Sequence, residues 1–346
     1  MDSVMSLVLI AIGSLCAASF YVPIKKIKGW SWESYWIVQG VFSWIVAPVI
    51  FAYFTVPELG RVIGQSPGSA ILNTMFFGVL WGVGGLTFGL SMRYLGVAMG
   101  QSIALGFCAA FGTLAAPLIS GTNLLSTHEG IMTITGVSVC IAGIAVVGYA
   151  GALRSSNMSE EDRKKAIAEF SLKKGLIIAI LAGVMSACFS LGLTGIPGVM
   201  DAGNRLKEAA QSAGTDPLYV NNPSYIFVTL GGFITNLVYC LYLNIKNKTY
   251  GDYLSLSGGV LVNNLVFSLI GGTLWYLQFF FFGMGQSKLP GGMMAFGWSI
   301  LMAMNILFSN VWGIFLKEWK NAGSRTTAVL VIGLLILILS SFVIKL

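Results

Sequence analysis

Ten long apolar runs, each closed by a short polar or charged stretch, fill most of the 346-residue chain. A helix crossing the hydrocarbon core of a bilayer needs about 20 apolar residues. Runs of that length fall at 4–24, 33–54, 70–92, 97–119, 130–151, 175–196, 223–245, 260–285, 291–316 and 326–345. The pattern predicts an all-α polytopic membrane protein with ten transmembrane helices. Lys25, Lys26 and Lys28 follow the first run and no basic residue precedes it. A cleaved signal peptide has the opposite polarity, so the first run is expected to remain as a span.

Composition agrees. Only 10% of the residues are charged and 56% are hydrophobic, whereas a soluble domain carries about 25% charged residues. The net charge of +7 would suit nucleic acid if it lay on one face. The basic residues sit instead in short connections between apolar runs, which excludes that partner. Cys16, Cys108, Cys140, Cys188 and Cys240 all lie inside apolar runs without metal-ligand spacing, and read as buried thiols. No G-x-x-x-x-G-K-S/T stretch is present to point to an ATP-driven step.

Lys and Arg are unevenly shared between the connections. Fifteen follow the odd-numbered runs, and five follow the even-numbered ones or close the chain. The positive-inside rule then puts the odd connections in the cytoplasm and both termini outside. The longest charged stretch, within 152–174, divides the chain into residues 1–151 and 175–346. Each part holds five runs. Five is odd, so the second part enters the membrane upside down, as in secondary transporters built from inverted repeats. Laying Leu80–Met99 on Leu274–Met293 without a gap brings Leu80, Trp81, Phe88, Gly89, Leu95 and Met99 onto identical residues. This puts Trp81 and Trp275 at equivalent depths. Gly13 and Ala17 similarly fall on Gly183 and Ala187.

The strings FYVPIKKIKGWSWES (20–34), SMRYLGVAMG (91–100), EFSLKKGL (169–176), DPLYVNNPSY (216–225), WYLQFFF (275–281) and LKEWKNAG (316–323) are distinctive. Through them nearly the whole chain resembles the L-rhamnose–proton symporter family of the drug/metabolite transporter superfamily. The resemblance implies two inverted five-helix repeats and import of a deoxy-hexose across a bacterial inner membrane. It implies the proton as coupling ion and no cofactor. GVGGLTFGL (82–90) and GMGQSKLP (283–290) are less polar than the family's pattern at those places.

The residues themselves speak to the substrate. No Asp, Glu, Lys or Arg lies near the centre of a run. A charged substrate would call for an intramembrane counter-charge, so a small neutral substrate is expected. Gln39, Gln101, Gln278 and Asn305 bring amides to membrane depth, and amides both donate to and accept from sugar hydroxyls. Trp and Tyr can stack on a pyranose. Gln278 has two readings: an interhelical hydrogen bond, worth about 0.6 kcal/mol in membranes, or a sugar ligand. Trp275, one turn away, favours the second. Trp81 enters through the repeat. Tyr276 completes the candidates, although it stands about 200° round the helix from Gln278. Trp30, Trp32, Tyr35 and Trp36 read as interfacial anchors.

For the proton, the membrane-end carboxylates are Glu33 at the start of the second run, Glu129 with the sole histidine, His128, at the start of the fifth, and Glu318, flanked by Lys317 and Lys320, at the end of the ninth. Lys25, Lys26 and Lys28 are expected to hold Glu33 ionised; Glu129 and His128 could exchange protons or merely face water. Among the glycines, Gly82, Gly84, Gly85, Gly96 and Gly100, with Gly291 and Gly292, read as close-packing points or as flexing gate ends. Ala202–Ala213 reads as a surface helix, either a solvated connector or a lid. The alternatives to an importer are an exporter on the same scaffold, or a membrane-embedded enzyme or receptor. No catalytic constellation at membrane depth supports the enzyme. The longest connections, about 20–25 residues, leave little room for a receptor's signalling segment.

The charge asymmetry generates a direct expectation. Single cysteines near Ser159 and Lys248 should react with an impermeant thiol reagent only from the cytoplasm. Those near Gly64 and Gly214 should react only from outside. Reversed labelling would overturn the arrangement with both termini outside.

Overall fold

The computed structural model describes residues 2–95, 97–157, 171–254, 257–290, 293–315, 319 and 322–343. Among these, ten helices are long and apolar enough to cross a membrane. They are span 1 (Ser3–Ile24), span 2 (Trp32–Thr55), span 3 (Gly68–Leu95), span 4 (Gly100–Ile119), span 5 (His128–Arg154), span 6 (Leu172–Thr194), span 7 (Asn222–Asn247), span 8 (Gly258–Gln286), span 9 (Phe296–Phe315) and span 10 (Ser324–Phe342). All ten expected runs are present. Span 9 starts at Phe296 rather than 291, after Pro290, whose ring cannot continue span 8. The charged stretch 158–170, Gly96, Gly291, Gly292 and Glu318 lie outside the described residues.

The spans pack in a regular scheme. Span 3 lies against span 6 and span 1 against span 8. Span 2 packs on span 7, span 4 on span 9, and span 5 on span 10. These pairings are unchanged when each span is exchanged for the one five places along. Close approach at glycine makes several of them possible. A Cβ on Gly78 would run into the carbonyl oxygen of Val228, and one on Gly231 into that of Met75. Gly84 meets the backbone of Ser186, and Gly13 meets the carbonyl oxygen of Gln278 at 2.7 Å. Lipid tails are as apolar as leucine, so intimate van der Waals contact and interhelical hydrogen bonds must hold these helices together. Gly82 and Gly84 are therefore packing residues. Gly85, with nothing within 4 Å of a Cβ, is not.

The end of the bundle that carries the loops after the odd spans is called the basic end below. There, polar side chains tie spans 1, 2, 7 and 8 together. Asn264 holds the backbone of Lys28 in both directions: its Nδ2 donates to the carbonyl at 2.7 Å and its Oδ1 accepts from the N–H at 3.0 Å. Trp30 Nε1 donates to the Asp252 carbonyl, and the Ser31 N–H donates to the Asp252 carboxylate at 2.8 Å. Partial burial pushes the Asp252 carboxyl up. Hydrogen bonds from the Ser31 N–H and from the Ser31 and Ser34 hydroxyls outweigh it and hold the group below its ordinary value.

At the opposite end, Asn222 Nδ2 donates to Thr55 Oγ1 at 2.7 Å and joins span 7 to span 2. The helix Gly203–Ser212 is docked by one face. Leu206 and Ala210 are fully buried, and Ala210 packs with Val56 and Val62. Its apolar residues recur at four-residue spacing and form one face, while Arg205, Glu208, Gln211 and Ser212 on the other are exposed, as expected of a surface helix.

The glycine contacts yield a stability prediction. Gly231→Leu should wedge span 7 from span 3 and destabilise the fold by about 1–3 kcal/mol, read as a lower melting temperature in detergent. Gly85→Ala should be neutral or stabilising by up to about 1 kcal/mol, since it gains helix propensity in open space.

Candidate functional site

A cavity of about 290 Å³ lies in the middle of the bundle, near the lower limit of the usual range for small-molecule pockets. Its walls come from spans 1–4 and 6–9 and not from spans 5 and 10. The span positions of the lining place it from mid-depth towards the basic end. Phe88, Gln101 and Ser309 line that side, and Phe279 and Trp298 line the other. No charged side chain is among the lining residues.

Three tryptophans form its centre. Trp81 and Trp275, from spans 3 and 8, have ring centroids 5.6 Å apart. Trp44 of span 2 stands edge-on to both, at 6.0 Å and 5.4 Å. Span 2 reaches this place through one wide π-type turn, Phe42–Val46, a feature frequent at functional sites. Trp36 Nε1 donates to Asn236 Oδ1 at 3.0 Å, and Asn236 Nδ2 donates to the Gly232 carbonyl at 2.9 Å. That chain fixes the Trp36 ring as a wall.

Polar groups crowd the same space. Gln278 Oε1 accepts a long bond, 3.4 Å, from Asn305 Nδ2. Asn305 Oδ1 is buried without a protein partner. Gln101, Ser186 and Ser309 add an amide and two hydroxyls to the lining. An unpaired amide oxygen in a membrane protein's interior costs free energy unless a ligand or water meets it.

The wall towards the opposite end is sealed by rings. Phe189 stacks on Phe279 at 4.1 Å and on Trp298 at 5.7 Å, and Phe282 meets Trp298 edge-on at 5.8 Å. Trp298 Nε1 is engaged by the Cys108 carbonyl, and Ser299 and Thr113 bond each other across spans 9 and 4. A larger groove of about 450 Å³ lies between spans 4 and 5, on the flank of the bundle. Its lining is almost wholly apolar, bordered by the exposed Phe107, Ile141 and Tyr149. It lacks the convergent polar groups of the central cavity.

Residues 2–346 match the L-rhamnose-proton symport protein family. The chain belongs to this family. The L-rhamnose-proton symporters of Mannheimia succiniciproducens, Yersinia pestis and Salmonella gallinarum are each 38% identical to it over 339 residues, 97% of this chain and 95% of theirs. The family is one of transport proteins, not of enzymes.

In this member of the symport family the structure brings five of the sequence candidates together: Trp275, Gln278, Trp81, Asn305 and Gln101 all line the cavity. Gln278 bonds another span and also faces the cavity. Tyr276 does not belong. It is fully buried behind the wall against Phe51 at 5.3 Å and Tyr225 at 6.3 Å, as its angular offset from Gln278 dictates. Gln39 is also outside the lining. The ladder Trp36, Gly40, Trp44 takes the cavity face of span 2, and the Gln39 side chain is buried with neither amide atom partnered. The anchor reading is corrected as well. Trp36 lines the cavity and Tyr35 is 3% exposed, whereas Trp32 is half-exposed, as an interfacial anchor would be.

The proton candidates separate. Glu33 is 5% exposed, and its Oε1 accepts from Asn247 Nδ2 and Thr249 Oγ1, both at 2.9 Å. These partners, an amide and a hydroxyl, stand where lysines were expected. Lys25, Lys26 and Lys28 are exposed, and no ion pair joins them to Glu33 among the described residues. His128 and Glu129 are both exposed and contribute nothing to the cavity lining.

Sequence reading missed Trp36, Trp44, Asn236, Ser186 and Ser309. For the tryptophans a signal existed: Trp32, Trp36, Gly40 and Trp44 recur at intervals of four along one helix face. Ser186, Ser309 and Asn236 carry no signal beyond being polar at depth.

Proposed function

We propose that the protein carries L-rhamnose together with protons into the cell across a bacterial inner membrane, by alternating access, with the central cavity as the sugar site. The observation that carries this reading is the lining: tryptophans and amides converge and no charge is present, which suits a neutral polyol. The aromatic faces offer stacking for the pyranose and its methyl group. Gln278, Asn305 and Gln101 offer donors and acceptors for its hydroxyls. Family membership and the names of the relatives support the same substrate and coupling ion.

The basic end is taken as cytoplasmic and both termini as outside, on the positive-inside rule. The cavity then faces inward in this conformation, with the ring plug of Phe189, Phe279, Phe282 and Trp298 closing the outer side. Residues 1–151 and 175–346 are read as two inverted repeats joined by the linker 152–174. The exchange symmetry of the span pairings supports that division.

Glu33 is the proposed proton site. It lies one turn from Trp36, a wall of the cavity, and its carboxyl is bound from the end of span 7. Separation or closure of these ends changes its solvation and its hydrogen bonds, and so its proton affinity. Alternating access supplies that movement.

Two predictions follow from these assignments. Gln278→Ala and Trp275→Ala should each weaken L-rhamnose binding by about 1–3 kcal/mol, measured by titration calorimetry on purified protein, with little change in melting temperature for Gln278→Ala and a lowered one for Trp275→Ala, whose ring packs on Trp44, Trp81 and Phe279. A destabilised Gln278→Ala protein with unchanged affinity would make the residue purely structural.

Glu33→Gln keeps an acceptor for Asn247 and Thr249 but cannot carry a proton. Sugar counterflow in proteoliposomes should persist while accumulation driven by an imposed pH gradient is lost. Full accumulation by this variant would eliminate Glu33 and turn attention to Glu129 and His128.

A further inference from the structure

The repeat register places Phe88 of span 3 on Phe282 of span 8, and Gly89 on Gly283. In the structure these counterparts have opposite surroundings. Phe282 is 1% exposed, wedged edge-on against Trp298. A Cβ on Gly283 would lie 2.7 Å from the Tyr225 hydroxyl. Phe88 instead borders the cavity, and a Cβ on Gly89 would meet nothing within 4 Å. Two turns nearer the centre the two tryptophans of the register, Trp81 and Trp275, both line the cavity and face each other. The two helices are thus alike at the substrate depth. They differ two turns away, where one phenylalanine is packed and its counterpart is open.

We infer that Phe88 and Phe282 are a matched pair of gate residues that seat alternately. This rests on the alternating-access reading above. Phe282 closes the side away from the basic end now. When the protein turns over, Phe282 leaves Trp298, and Phe88 moves across the cavity mouth to pack on the first turns of span 4, next to Gln101 and Leu105. Those residues occupy the place in the first half that the start of span 9 holds in the second. Space for the movement is present: Gly85 and Gly89, on either side of Phe88, have no neighbour at a Cβ position. At the plugged end the position matching Gly85 is Phe279, stacked on Phe189. The basic-end gate is therefore thinner by one ring than the other. This asymmetry favours the conformation seen, in which the thicker plug is the one that is closed.

The test uses the full chain in detergent without sugar. The readout is the reaction rate of Ser309→Cys, an isosteric change at the cavity mouth, with a small polar thiol reagent, the label being localised by peptide mass spectrometry. Phe282→Leu keeps apolar bulk in the plug but loses the ring contact with Trp298. It should populate the mouth-closed state and slow labelling by roughly 2- to 10-fold, the scale of one aromatic pair in a two-state equilibrium. Adding Phe88→Ala to that background removes the closing ring and should restore the rate. Phe88 is only partly buried where it borders the cavity, so this change costs the present state less packing than truncation of the buried Phe282 would. Labelling that Phe282→Leu does not slow, or that Phe88→Ala does not restore, overturns the pairing. Sugar is absent, so the result is independent of which sugar is carried. Failure of L-rhamnose to protect the same cysteine would count against the substrate reading and leave the gate pair standing.

Discussion

Lipid gives two helices no hydrophobic reason to meet, and the architecture follows from how this chain overcomes that. Apolar side chains are as well solvated by acyl chains as by one another, so association must come from close contact and from polar groups that lipid cannot satisfy. Glycine supplies the first. Gly78 and Gly231 bring spans 3 and 7 to backbone distance, Gly84 sets span 3 on span 6, and Gly13 sets span 1 on span 8. Amides supply the second, through Asn264 at the basic end and Asn222 at the other. With spans 3 and 8 each gripped from behind, their tryptophans are left facing one another in the middle.

The central space is consequently bounded by rings that are already in contact with each other. Trp44, Trp81 and Trp275 support one another edge-on or tilted, and Trp36 is held by Asn236. A sugar entering such a frame meets rigid faces and loses little binding energy to ordering the protein. The amides are less settled. The Gln278–Asn305 bond is long, and the free oxygen of Asn305 has nothing to accept from. That contrast, firm aromatic walls beside loosely engaged amides, is what a binding site requires when its hydrogen bonds are to be completed by the ligand.

The two ends of the bundle serve different purposes. The basic end carries a network of amides, hydroxyls and carboxylates around Glu33, Asn244, Asn247 and Asp252. The other end closes with stacked rings at mid-depth and a docked helix, Gly203–Ser212, above. Ring contacts are short-ranged and separate cleanly. A hydrogen-bonded carboxyl responds to the same separation by changing its proton affinity. On the proposed assignment of Glu33, one displacement alters both the ring contacts and the proton affinity of the carboxyl.

The amino-acid sequence by itself determined the ten spans, the uneven distribution of basic loops and the absence of charge at depth. Each depends only on how many apolar residues lie in a row and on which residues interrupt them. It also showed the register that matches Trp81 with Trp275. It could not assign faces. In water a helix shows its buried side by an apolar stripe, but a lipid-facing surface is as apolar as a packed one, so periodicity fades. Helix geometry already set Tyr276 apart from Trp275 and Gln278, but tertiary structure alone decided which of those faces meets the cavity, and that Trp36 and Trp44 belong to the wall. It also decided that Glu33 is met by Asn247 and Thr249 rather than by lysines. These outcomes depend on which helix lies next to which. That is settled by backbone contacts at glycine between spans more than a hundred residues apart, and no local stretch of sequence records it.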